Sequence, residues 1–168
     1  MVFCFFMANQ FSIYRVVCAT PPGLEEERDL FLTDLSDFSG RVTMPEWILF
    51  GPATFPTPFP ATAMQGAVKD NIKNAQFFLG FFGEDPTEPA YKRFVQYAIE
   101  SAADPELPMK RVTVFFKESD DVAEEIRALR GKFAVQCEVR TYRNLKDLEP
   151  QLSDILAGWL AAVKCPAA

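Results

Sequence analysis

A chain of 168 residues, 49% apolar and 24% charged, has the size and composition of one ordinary folded domain with a full core. A net charge of -6 argues against nucleic-acid binding, and the lack of any histidine excludes Ser-His-Asp triads, Cys-His dyads and histidine zinc sites. General acid or base work falls to Asp, Glu, Tyr, Lys or Cys.

The start, Met1-Val2-Phe3-Cys4-Phe5-Phe6-Met7, is apolar but short. It has no basic lead and no small-residue cleavage site, and it falls well below a membrane span. Met7 offers an alternative initiator; packing on a partner is the other reading of this tail, residues 1–12. Residues 13–164 read as one domain. No spanning segment is visible, so the chain reads as cytoplasmic, with no membrane partner.

The first apolar run, Ile13 to Ala19, stops at Thr20-Pro21-Pro22-Gly23, and an acidic helix start, Leu24-Glu25-Glu26-Glu27-Arg28-Asp29, follows. Strand, tight loop and helix in that order open an α/β sheet whose ligands bind just past the strand ends. The apolar stripe of this helix is Leu24, Arg28, Phe31, Leu35 and Phe38. Trp47-Ile48-Leu49-Phe50 is the second strand. Gly51 to Pro60 is then a loop rich in Pro and Phe, which neither a helix nor a central strand accepts. A stiff apolar lid, a docking surface and an ordered loop plugging the core are its three readings.

A helix from Met64 to Ala75 leads into the third strand, Gln76 to Phe82. The next helix, Ala90 to Ala102, aligns Tyr91, Phe94, Ala98 and Ala102. Val112 to Phe116 is the fourth strand, and Val122, Ile126 and Leu129 mark the helix after it. Val135 to Tyr142 alternates, with Val135, Cys137, Val139 and Thr141 on one face, and suits an edge strand. Leu148, Leu152, Ile155, Trp159 and Val163 form the last helix, in which Pro150 requires a place in the first turn. The middle strands are continuously apolar, as in a parallel sheet covered on both faces. The fold class is therefore α/β: a single doubly wound, mostly parallel, five-stranded sheet in the flavodoxin-like order 2-1-3-4-5. The four cysteines lack CxxC spacing, so no metal site is expected, and Cys18 and Cys137 read as small core residues of a reducing compartment.

The crevice of such a sheet lies between strands one and three, beside Thr20 to Gly23 and Gly83-Glu84-Asp85. Arg28 on a buried stripe needs a partner, and Glu84, Asp85 or Glu88 across the crevice can supply it; a structural ion pair and a ligand-orienting role are both open. Glu25, Glu26 and Glu27 complement the helix dipole and would repel phosphate there. Neither GxGxxG nor GxxxxGK[ST] is present, so both standard phosphate cradles are missing. A sugar, whose hydroxyls donate to carboxylates, remains compatible. Glu84, Asp85 and Glu88 suit sugar binding or nucleophilic attack, and equally a turn and helix cap. Tyr91 and Tyr97 read first as packing residues. Strand three ends in Phe81-Phe82-Gly83, which lacks the aspartate a phosphoacceptor receiver would need.

Val17-Cys18-Ala19-Thr20 followed by Gly23-Leu24-Glu25-Glu26-Glu27-Arg28-Asp29 resembles the strand end and helix start of an uncharacterised bacterial domain family. Asn71-Ile72-Lys73-Asn74-Ala75-Gln76 before Phe77-Phe78-Leu79-Gly80, then Tyr97-Ala98 and Val112 to Phe116, extend the resemblance across Tyr14 to Lys117. That family is similar to TIR domains and nucleoside 2-deoxyribosyltransferases. The resemblance implies a crevice for a nucleoside or for NAD as substrate, with no certain cofactor. It also implies a helix carboxylate acting on an N-glycosidic bond. Phe94 stands where the family Glu would, so Glu88 or Glu84 is the candidate catalytic carboxylate. Thr20, Gly23, Arg28, Gly83, Asp85 and Tyr91 complete the candidate ligand-binding set. The alternative is a non-catalytic interaction module that meets a second copy or another protein through the Pro52–Pro60 loop.

Overall fold

Five apolar runs pair side by side, each strand parallel to its neighbours, in the order β2-β1-β3-β4-β5. The computed structural model describes residues 10–54 and 65–165. Strands β1 (Ser12–Ala19), β2 (Ile48–Thr54), β3 (Phe77–Phe82), β4 (Arg111–Lys117) and β5 (Glu138–Tyr142) alternate with helices α1 (Glu25–Phe38), α2 (Gln65–Lys73), α3 (Pro89–Ala103), α4 (Glu124–Ala134) and α5 (Leu145–Lys164). The flavodoxin-like order expected from the sequence is the observed one.

The central strand explains why its sequence is apolar without a break. Phe77, Leu79 and Phe81 face α1 and α5, where they join Phe31, Leu35, Leu152 and Trp159. Phe78 and Phe82 face the other layer, with Ile72 of α2, Phe94 and Val95 of α3, and Ile126 and Phe133 of α4. Both faces are covered, so both side-chain parities must be apolar. The abundant phenylalanines stack across register pairs, Phe82 on Phe116 at 4.9 Å and Phe81 on Phe115 at 5.4 Å, and Phe77 stacks on Trp159 of α5 at 4.7 Å. Such pairs contribute about 0.5–1.5 kcal/mol each beyond their burial.

Several local expectations change in the folded chain. β2 continues through Gly51, Pro52 and Ala53 to Thr54, where the sequence suggested a loop. Pro52 is tolerated because β2 is an edge strand and pairs on one side only. The rest of the Pro/Phe segment lies outside the described residues, as does Cys4. Trp47 is not in the strand. It caps a short 3-10 turn, Met44–Glu46, with φ 61, and its ring meets Phe11 at 5.0 Å.

β5 begins at Glu138, because α4 and its closing turn use the residues up to Cys137. Val135 is the C-cap of α4 and is 85% exposed. Cys137 is half-buried before the strand, and burial with the Glu138 charge pushes its thiol up to about 11. Cys18 is in the core, where burial pushes the thiol up to about 12. Ala102 is exposed, and Val95 and Ile99 extend the buried face of α3 instead. Pro150 lies in the second turn of α5, because that helix starts at Leu145. The start is set by a reciprocal cap. The Asn144 side chain accepts from the Asp147 N–H at 3.1 Å, and the Asp147 carboxylate accepts from the Arg143 N–H at 3.0 Å.

Candidate functional site

The β1–α1 loop and the β3–α3 loop leave the sheet on opposite sides, because α1 and α3 cover opposite faces. A cleft opens between them at the C-terminal strand ends, as the topology requires. Its volume is about 430 Å³, within the range of small-molecule sites. Gly23 and Leu24 form one wall, Gly83 to Glu88 the other, and Lys117 at the end of β4 closes one side.

The first wall depends on Gly23, whose φ of +92 is a conformation that L side chains rarely adopt. That geometry aims the Gly23 N–H at Glu25 Oε1, 3.1 Å away. This bond, followed by the amide of Glu25 itself, holds the Glu25 carboxyl below its usual range. Leu24 packs against the Cα of Gly83, where a Cβ would sit 3.6 Å from a Leu24 methyl, and so joins the two walls.

The second wall carries the acids. Glu84 is half-buried, while Asp85 and Glu88 are exposed. The Glu84 carbonyl accepts from the Ala123 N–H at 2.9 Å, which pins this loop to the β4–α4 loop. Glu88 is the N-cap of α3 but makes no capping hydrogen bond with its side chain, so its carboxylate is available to the cleft. Thr87 Oγ1, also in this wall, is buried with no hydrogen-bond partner among the described residues.

Gly23, Gly83, Glu84, Asp85 and Glu88 are therefore brought together. Three other candidate residues are not. Thr20 is buried at the end of β1 and does not line the cleft. Arg28 forks onto its neighbour Asp29 at 3.0 and 3.1 Å and does not reach Glu84, Asp85 or Glu88. Tyr91 is buried beneath the cleft. Its hydroxyl donates toward the Ala19 and Phe81 carbonyls at 2.7 and 2.8 Å and accepts from the Phe81 N–H at 3.1 Å. It ties α3 to β1 and β3 and supports the site from below. Gly80 makes room for this: a Cβ there would lie 3.7 Å from the Tyr91 oxygen and 3.0 Å from the Phe78 ring.

Glu27 is the acidic residue whose position the sequence did not disclose. It is 6% exposed. The buried stripe of α1 runs Leu24, Glu27, Phe31, Leu35, and Arg28 lies to its side. Steps of three and four residues both return to one helix face, so Leu24 to Phe31 admits either residue between them. The fold decides by bringing the ends of β4 and β5 against Glu27. The Tyr142 hydroxyl donates to Glu27 Oε1 at 3.0 Å, and Lys117 Nζ lies 4.0 Å from the same oxygen. Burial, then the Glu27 charge, pushes the Tyr142 phenol up, and the Glu84 charge adds to this shift. Glu27, Tyr142 and Lys117 thus form one hydrogen-bonded and charged unit beside the cleft.

Among the described residues no group of three or more Cys, Asp or Glu has the arrangement of a metal site. No described helix is long and apolar enough to cross a membrane.

No protein-family model matches this chain, and no curated protein matches it significantly. The likeness to TIR domains and nucleoside 2-deoxyribosyltransferases thus rests on short motifs alone. Among solved structures the chain is similar to that of a Clostridium botulinum CMP N-glycosidase, BcmB, with a TM-score of 0.48 and 18% identity. The match covers 83% of this chain and 97% of that one.

Proposed function

We propose that the cleft between the β1–α1 and β3–α3 loops binds a nucleoside-type ligand and that the chain cleaves or transfers its N-glycosidic bond with a carboxylate. One observation carries the reading: Glu84, Asp85 and Glu88 meet around a cleft of ligand size at the switch point of the sheet. None of the three carboxylates makes a side-chain hydrogen bond among the described residues. They are available to sugar hydroxyls and to positive charge developing at the anomeric carbon. In the reaction the C–N bond breaks and its electron pair leaves with the base. A carboxylate, or water that gives its proton to the carboxylate, bonds to the anomeric carbon; a neutral nucleoside base takes up a proton from water or a carboxylic acid, whereas the nicotinamide of NAD, already cationic, leaves neutral without one. Glu84 or Glu88 is the attacking or stabilising group, and Asp85 positions the sugar. Glu84 lies on the loop that follows β3, whereas Glu88 reaches the cleft from the N-cap of α3. The cationic nicotinamide ring of NAD suits the same acids, provided that its diphosphate lies away from the acidic start of α1.

A non-catalytic interaction module is the second reading. Phe94, at the position of the family carboxylate, is buried in the core and 3% exposed, so the usual helix residue is absent. Partner contact would then fall to the Pro52–Pro60 segment or to a second copy.

Chromatographic detection of released base separates the two. Wild type incubated with NAD and a nucleoside panel should release nicotinamide or free base. Glu84→Gln or Glu88→Gln should lower that rate by at least about a hundredfold, the scale of a lost transition-state electrostatic contact. Release that neither substitution changes would remove both residues from the chemistry. No release from wild type would favour the module.

A further inference from the structure

A second cleft lies one strand further along the same sheet edge, with Lys117 in the wall that both share. Its volume is about 660 Å³, and Lys117, Arg127, Arg130 and Arg143 line it against two carboxylates, Glu118 and Asp120. A net positive cleft is unexpected on a chain of charge -6. Its cations come from separate elements: Arg127 and Arg130 lie one helical turn apart on α4, Arg143 follows β5, and Lys117 ends β4.

The pairing of these groups is incomplete. Arg130 and Arg143 converge on one carboxylate, Glu118, at 3.3 and 3.9 Å. Among the described residues the Arg127 side chain donates only to a backbone carbonyl, that of Asp120, at 3.2 Å. Two guanidiniums aimed at one small acceptor, with a third beside them, match the three-oxygen, doubly charged face of a phosphate better than a single carboxylate. We infer that this cleft binds the phosphate group of a small phosphorylated molecule. Glu118 lies between the Arg130 and Arg143 guanidiniums and tunes the affinity by its own charge.

Amide chemical shifts of the ¹⁵N-labelled full chain, titrated with inorganic phosphate at ionic strength held constant by sodium chloride, test this directly. Saturating shifts should be confined to residues 117–122, 126–130 and 143. Arg143→Ala removes a side chain that is 77% exposed, so the fold is kept. It should weaken binding about tenfold, as should Arg127→Ala, the scale of one charge-assisted hydrogen bond. Glu118→Gln should tighten binding several-fold, because it removes a competing anion; a purely structural network would give no gain. Unsaturable shifts equal to those from chloride, arginine variants with unchanged affinity, or weaker binding in Glu118→Gln would each overturn the inference. Base release plays no part in this titration, so it fails separately from the glycosidic reading.

Discussion

Tyr142 donates its phenolic proton to Glu27 where both are shut away from water. Tyr142→Phe leaves that carboxylate, among the described residues, with Lys117 at 4.0 Å. A buried acceptor stripped of its donor costs about 1–3 kcal/mol, and urea unfolding at neutral pH should show a loss of that size. The pair also sets a pH dependence. Burial and the Glu27 charge raise the folded phenol above the ordinary value of 10.0. The unfolded chain releases this proton first as pH rises. The stability held by the protonated phenol is therefore full below about pH 10 and declines above it. Tyr142→Phe should flatten the decline above about pH 10 and leave the slope below it unchanged; an unchanged slope above about pH 10 would assign the decline to other groups. Neither Glu27 nor the four cations of the second cleft could be recognised as a site from residue identity. A charge becomes a site only when other elements fold against it.

The β1–α1 loop is legible as an element because Pro21-Pro22-Gly23 cannot continue a strand, and the acidic residues after it favour a helix start. Its conformational demand falls on Gly23. Nothing lies within 4 Å of a Cβ added there, so Gly23→Ala meets no steric obstacle, and its whole cost is the φ of +92. That cost is roughly 1–2 kcal/mol. A thermal melt should show Tm a few degrees lower, and ligand affinity should fall with it, since Gly23 shapes one cleft wall. A Tm equal to wild type would mean that the loop relaxes. Element ends are less legible in the sequence where one segment ends and another begins within a few residues. The alternation of Val135 to Tyr142 holds only from Glu138, because α4 and its cap consume the earlier residues. Pattern alone cannot separate a helix cap from a first strand residue.

Across the whole molecule, two cores press on one sheet, and the aromatic stack around Trp159 joins α5 and α1 to β2 and β3. Trp159 is 1% exposed and contacts Phe31, Phe50 and Phe77. Trp159→Ala should cost about 3–5 kcal/mol, a large share of the stability of a domain this size. Calorimetry or urea unfolding monitored by circular dichroism should show the loss as a shifted midpoint. A change below about 1 kcal/mol would mean that the cavity collapses without penalty. Trp47, which is 44% exposed, gives a second, solvent-facing fluorescence signal, so Trp47→Phe isolates the buried reporter.

By itself the sequence determined the class of fold and the place of the cleft. Unbroken apolar runs separated by helical stripes require a parallel sheet covered on both faces. The prolines and glycines between them require tight loops at the strand ends. These are local constraints, written in periodicity and backbone geometry. Tertiary structure alone decided which charges matter. Arg28 turns to its own neighbour and Glu27 turns inward, although one position separates them on the same helix. Tyr91 ties α3 to the sheet beneath the cleft and does not line it, and Lys117 becomes the wall between an acidic cleft and a basic one. Each outcome depends on groups far apart in the chain, Glu27 and Tyr142 above all. Their meeting is set by strand order and helix packing, which no local pattern of side chains encodes.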